Sequence, residues 1–126
     1  MADLESSKAG ERVTALHGRL EQVDSLMGEI GSACAENGAA REQAVAANAR
    51  NRYRWSLPYP CGEANLRSIR AQTDRVRTEL GRIAPDAATR PGALFALPQL
   101  YGNDPKELQG RLAQIKAQTA EMRAAP

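Results

Sequence analysis

Large apolar residues recur in the first third of the chain at Val13, Leu16, Leu20, Val23, Met27, Ile30 and Cys34, with spacings of 3-4-3-4-3-4. This alternation keeps them on one helical stripe, with Val13, Leu20, Met27 and Cys34 at heptad position a and Leu16, Val23 and Ile30 at d. The pattern then fails: Asn37 and Arg41 take the next seam positions, and Glu36-Asn37-Gly38 resembles a helix C-terminus. We expect a first helix over about 5–37. Residues 39–54 are Ala-rich, with Val45 the only branched apolar residue before Tyr53, and form either a fourth helix or an extension of the first.

Pro58 and Pro60 break any helix through 55–62, because proline lacks the amide donor and restrains the residue before it. Beyond this corner Leu66, Ile69, Thr73, Val76, Leu80 and Ile83 repeat the 3-4 alternation and predict a helix over 62–84, stopped by Ala84-Pro85. Residues 85–104, with Pro85, Pro91, Pro98, Gly92 and Gly102, read as a strap carrying Leu94, Phe95, Leu97, Leu100 and Tyr101. Asp104-Pro105-Lys106-Glu107 supplies an N-cap, a proline at the first helical position and an acid in the first turn. A last helix over 105–124 follows, its seam formed by Leu108, Leu112, Ile115, Thr119 and Met122. The expected fold is a single all-α domain spanning 1–126, an antiparallel three- or four-helix bundle with coiled-coil-like heptad seams.

Composition sharpens this picture. The 126 residues are 42% hydrophobic, but 23 of them are Ala, while Leu, Ile, Val and Phe together number 21. Such a chain cannot build a thick core, and thin helical packing suits it best. No apolar run approaches the roughly 18 residues of a membrane span, and the N-terminus has no signal-like pattern, so a soluble chain without a transmembrane segment is expected.

Net charge is +2, unevenly distributed. Residues 1–40 hold seven acids and three bases, whereas 41–90 hold ten Arg and five acids. The two stretches can neutralise each other within one fold, steer an anionic partner, or join one copy to another. Arg outnumbers Lys 14 to 3, as in a GC-rich bacterial or phage genome.

Cys34 and Cys61 are either a disulfide or two reduced core thiols. A first helix running unbroken to about residue 54 would hold Cys34 roughly 30 Å from the corner, and a bridge then requires a break near Gly38. We favour the break, which lets the first two seams face each other. A bridge implies a periplasmic or secreted protein, and free thiols a cytoplasmic one.

The residues offer no catalytic chemistry. Nucleophile elbow, P-loop, dinucleotide fingerprint and haem-attachment spacing are all missing, and two Cys with the single His17 do not make a metal site. We therefore expect no enzyme, no cofactor and no metal. Two segments stand out instead. Arg50, Arg52, Tyr53, Arg54, Trp55 and Tyr59 combine guanidinium forks with aromatic faces, as protein hot spots, single-stranded nucleic-acid sites and membrane interfaces do. Alternatively the aromatic rings plug the end of the bundle. Leu94, Phe95, Leu97 and Tyr101 either cover an open seam or present an apolar groove.

The expected function is a non-catalytic helical protein-interaction module of bacterial or phage origin, of the adaptor, secretion chaperone, inhibitor or immunity type. Its partner would be another protein, with homo-oligomerisation left open by Thr73 and Thr119 at seam positions. The alternative is a binder of single-stranded nucleic acid or an anionic surface through 50–59. Near-neutral net charge and the shortage of Lys disfavour nucleic acid.

Overall fold

The structure, a computed structural model, describes residues 2–87, 100 and 103–124, with side chains described from residue 10 to 85, at 100, and from 103 to 124. The described chain is all-helical: α1 spans Ala2–Ala47, α2 spans Glu63–Ala87 and α3 spans Pro105–Ala124, with a short 3-10 turn at Ala49–Tyr53. Both α2 and α3 pack on α1, so α1 is their common spine.

Helix directions follow from cross-helix contacts. Cys34 is bonded to Cys61 just before α2, and Asp24 meets Arg77 farther along it at 2.6 Å, so α2 runs antiparallel to α1. Asn37 Nδ2 donates to Thr119 Oγ1 at 3.1 Å, while Arg19 and Gln22 share a groove with Asp104–Lys106, so α3 runs parallel to α1.

A helix flanked by two others needs two apolar stripes. One is the Val13–Cys34 seam. The other is Leu26, Ile30, Ala33, Asn37 and Ala40, all buried, which repeats at 4-3-4-3 just as the buried Leu108, Leu112, Ile115, Thr119 and Met122 of α3 do. With Asn37 opposite Thr119, the same register sets Ala33 against Ile115 and Ala40 against Met122. The alanines of α1 are thus the small partners of large side chains, an interdigitation that fills a thin core.

Three expectations are corrected. The first helix does not end near Gly38, and 39–54 is not a separate helix: α1 continues to Ala47. Asn37 is fully buried and bonded to α3, and the Ala-rich run after Gly38 has high helix propensity, which together outweigh the roughly 1 kcal/mol cost of a mid-helix glycine. Nor does α2 stop before Pro85, since it carries on through that residue to Ala87. One missing amide near a helix end removes a single backbone bond and leaves the last turn able to form.

The third correction concerns the incompatibility between an unbroken first helix and the disulfide. Both are present, with Cys34 and Cys61 Cα atoms 5.3 Å apart. From Cys34 to the end of α1 is about 20 Å at 1.5 Å per residue. The return from residue 48 to 61 has more than twice that reach when extended, at about 3.3 Å per residue. The chain turns at residue 48 and runs back down the helix to the bridge.

α3 begins as its sequence demands. Asp104 Oδ1 accepts from Glu107 N at 2.9 Å and Asp104 O from Leu108 N at 3.0 Å, with Pro105 needing no acceptor. The approach to α3 is tied to α2 through Gln72, whose side chain donates to Leu100 O and accepts from Asn103 Nδ2, while Leu100 joins the core. Thr73 and Thr119 are buried and each donates to the carbonyl four residues back, Ile69 and Ile115, so neither leaves an open seam position.

Candidate functional site

The return segment from Asn48 to Gly62 occupies the end of the molecule where α2 has not yet begun. Its first turn is built by two asparagines. Asn48 Oδ1 caps Arg50 N at 3.0 Å, and Asn51, itself buried, donates at 3.0 Å to Ala44 O, a carbonyl of α1's last turn that also accepts from Asn48 N. Helix α1 has no basic residue in that turn, and the doubly bonded Ala44 carbonyl ties the segment to the helix end.

At its middle the segment is held through one backbone atom. Ser56 O accepts from Arg41 Nη2 of α1 at 3.0 Å and from Gln118 Nε2 of α3 at 2.9 Å. Gln118 Oε1 in turn accepts from Asn37 Nδ2 at 2.9 Å, which links the segment to the buried polar layer between α1 and α3. Cys61 closes the far end by its bond to Cys34, Pro60 is fully buried, and the Tyr59–Pro60 peptide is cis.

What this anchoring presents is aromatic and cationic. Tyr53 is 86% exposed, Leu57 55% and Tyr59 44%. Arg50, Arg52 and Arg54 are also exposed, and Trp55 is half-buried. Two rings each carry a guanidinium on one face: Arg54 lies 4.7 Å from the Trp55 ring centre, and Arg111 of α3 lies 5.1 Å from that of Tyr59. The exposure of Tyr59 corrects the view that it plugs the bundle end. Pro60, beside it, is the buried residue.

The sequence-predicted residues Arg50, Arg52, Tyr53, Arg54, Trp55 and Tyr59 therefore share one segment and one end of the molecule. Leu94, Phe95, Leu97 and Tyr101 lie outside the described residues. Leu57 escaped the sequence reading, although its place between Trp55 and Tyr59 in a proline-bracketed stretch was a usable signal. Arg111 had none, since only the fold brings it to Tyr59. Asn37 and Arg41 were also missed, because a polar residue on a seam reads as the seam's end, and Gln118, beside the α3 seam, had no signal of its own.

The rest of the described surface holds little convergent chemistry. His17 is exposed, and no group of three or more His, Cys, Asp or Glu is placed to hold a metal among the described residues. Arg82 on α2 is held above its ordinary pKa by a hydrogen bond and charge from Glu79, a solvent-exposed pair. A groove of about 510 Å³ between α1 and α3 is lined by Ala33, Glu36, Lys116, Thr119 and Arg123. No described helix is long and apolar enough to cross a membrane. Compared with protein-family models, curated proteins and solved structures, the chain matches none.

Proposed function

We propose that the chain is a non-catalytic protein-interaction module: an antiparallel three-helix bundle that serves as scaffold for the return segment, which docks another protein. The observation that carries this reading is the exposure of Tyr53, Leu57 and Tyr59 on a segment otherwise fixed by a disulfide, two asparagine side chains and a doubly bonded carbonyl. Exposed aromatic residues on pre-ordered backbone bind with little further entropic cost, and Tyr, Trp and Arg are the residue types that dominate interface hot spots. Adaptor, secretion chaperone, inhibitor and immunity proteins of bacteria or phage all work by such docking. The Cys34–Cys61 bond suits an oxidising compartment, periplasmic or extracellular.

A photo-crosslinking amino acid placed at Tyr53, with Ser32 on the exposed face of α1 as the control position, tests the proposal in the native host. Discrete protein adducts at position 53 and none at 32 are expected. Equal labelling at both positions, or robust turnover of a small substrate by the purified protein, would overturn it.

A further inference from the structure

Resting on that reading of the segment, we infer that its partner presents an acidic stretch interleaved with apolar side chains, and that Arg50, Arg52 and Arg54 pair with its carboxylates. From Asn48 to Gly62 the chain has no Asp or Glu. Among the described residues the ion pairs join Glu63 to Arg67, Asp24 and Asp74 to Arg77, and Glu79 to Arg82. None involves Arg50, Arg52 or Arg54, so among the described residues these three exposed arginines of one short segment have no carboxylate partner. A guanidinium fork binds a carboxylate through two parallel hydrogen bonds, and charge complementarity of this kind decides which partner is accepted.

The apolar component sets the partner's other requirement. Tyr53 and Leu57 are more than half exposed within the same short segment, and an aliphatic side chain such as Leu57 gains by burying against another apolar group. Phosphate would also satisfy the arginines, but a single-stranded nucleic acid needs successive open aromatic faces on which to stack its bases. Here Trp55 has one face covered by Arg54 and Tyr59 one face covered by Arg111, which leaves Tyr53 as the freely open ring. The balance of charge and apolar surface favours a peptide.

The experiment selects binders from a displayed random peptide library on the intact, disulfide-bonded protein and repeats the selection on Arg50→Gln/Arg52→Gln/Arg54→Gln. All three residues are exposed, Arg54 also lying over the Trp55 ring, and an unchanged thermal melt verifies that the variant folds. Peptides in which Asp or Glu alternates with Leu, Ile or Phe are expected on the wild-type protein. Their affinity by fluorescence anisotropy should fall at least about tenfold in the triple variant, and also fall as salt is raised. An Arg→Lys triple variant, which keeps the charge without the fork, should recover only part of the loss. Peptides that lack acids, survive the triple variant and depend on Tyr53 or Leu57 would overturn the acidic partner while leaving the docking role intact. If no peptide depends on the segment, and an oligothymidine 15-mer binds it instead, both readings fall.

Discussion

Where α1 meets the C-terminal half of α2, the buried residues are Leu16, Leu20, Val23, Val76, Leu80 and Ile83, aliphatic throughout. At the other end, past Cys34, α1 offers Asn37, Ala40, Arg41 and Ala44, and the structure is held there by a disulfide, an Asn–Gln–Thr cluster and a carbonyl shared by Arg41 and Gln118. The first end is held by apolar burial, which is non-directional and tolerant of slippage. The second depends on directional bonds, which specify where each group sits. Directional anchoring belongs where an exposed segment must keep a defined shape, and that is the end displaying Tyr53, Leu57 and Tyr59.

The largest effect that would break this contrast is in the aliphatic end. Leu80 is fully buried and Leu20 nearly so. Replacing either by Ala should cost about 3 to 4 kcal/mol, the transfer energy plus the residual cavity, read from chemical denaturation. Binding through the return segment should survive at temperatures where the variant remains folded. Loss of binding in a folded Leu80→Ala protein would show that the two ends are not separately held.

Next in size is the disulfide. It closes a loop of sequence separation 27, and on the chain-entropy account Cys34→Ser should lower stability by about 3 kcal/mol. Reductant should lower the melting temperature of the wild-type protein by a similar amount and leave Cys34→Ser unchanged. Mass spectrometry without reduction should find the two thiol protons missing. A smaller loss for Cys34→Ser than for Leu80→Ala, but a greater loss of peptide affinity, is the pattern the comparison demands.

The buried polar layer comes third. Asn37 donates to both Gln118 and Thr119, while its own Oδ1 and the Nε of Arg41 have no hydrogen-bond partner in the structure. Asn37→Ala should cost about 1 to 3 kcal/mol, since it removes two bonds and leaves Gln118 with an unmet acceptor. The double variant Asn37→Val/Thr119→Val should recover much of that, because an apolar pair replaces an incompletely satisfied polar one. Its cost should appear instead as loss of register: broadened amide resonances in α3, as expected when a polar seam position that fixes alignment is removed.

The difference between the ends also explains what was legible in the sequence. Helices α2 and α3 could be read from their spacings, and the start of α3 from Asp104-Pro105-Lys106-Glu107, because aliphatic periodicity and capping are local signals. The second stripe of α1 was not legible. Ala33 and Ala40 are buried on the stripe of α1 that the register through Asn37 and Thr119 turns toward α3, and Asn37 is buried where Thr119 and Gln118 lie opposite. A seam made of small and polar residues looks like the end of a seam until its partner is known. The Arg and aromatic segment stood out by composition, whereas its anchors, Ser56 O and the reach of Arg111, belong to tertiary structure alone.

Gly38 tests that last point with the smallest expected effect. As a helix terminus, the site would need the conformational freedom of glycine, and alanine there would be destabilising. In the structure Gly38 lies within α1, and a methyl group built on it meets nothing within 4 Å. Gly38→Ala should therefore stabilise the protein by up to about 1 kcal/mol, through higher helix propensity and a less flexible unfolded chain. The gain should be of similar size in the oxidised and reduced proteins, because a helix that is continuous through residue 38 in both states feels the substitution equally. Destabilisation in the reduced protein alone would mean that α1 breaks at Gly38 once Cys34 is released, and that the disulfide, not the Asn37 layer, keeps the helix straight through its polar end.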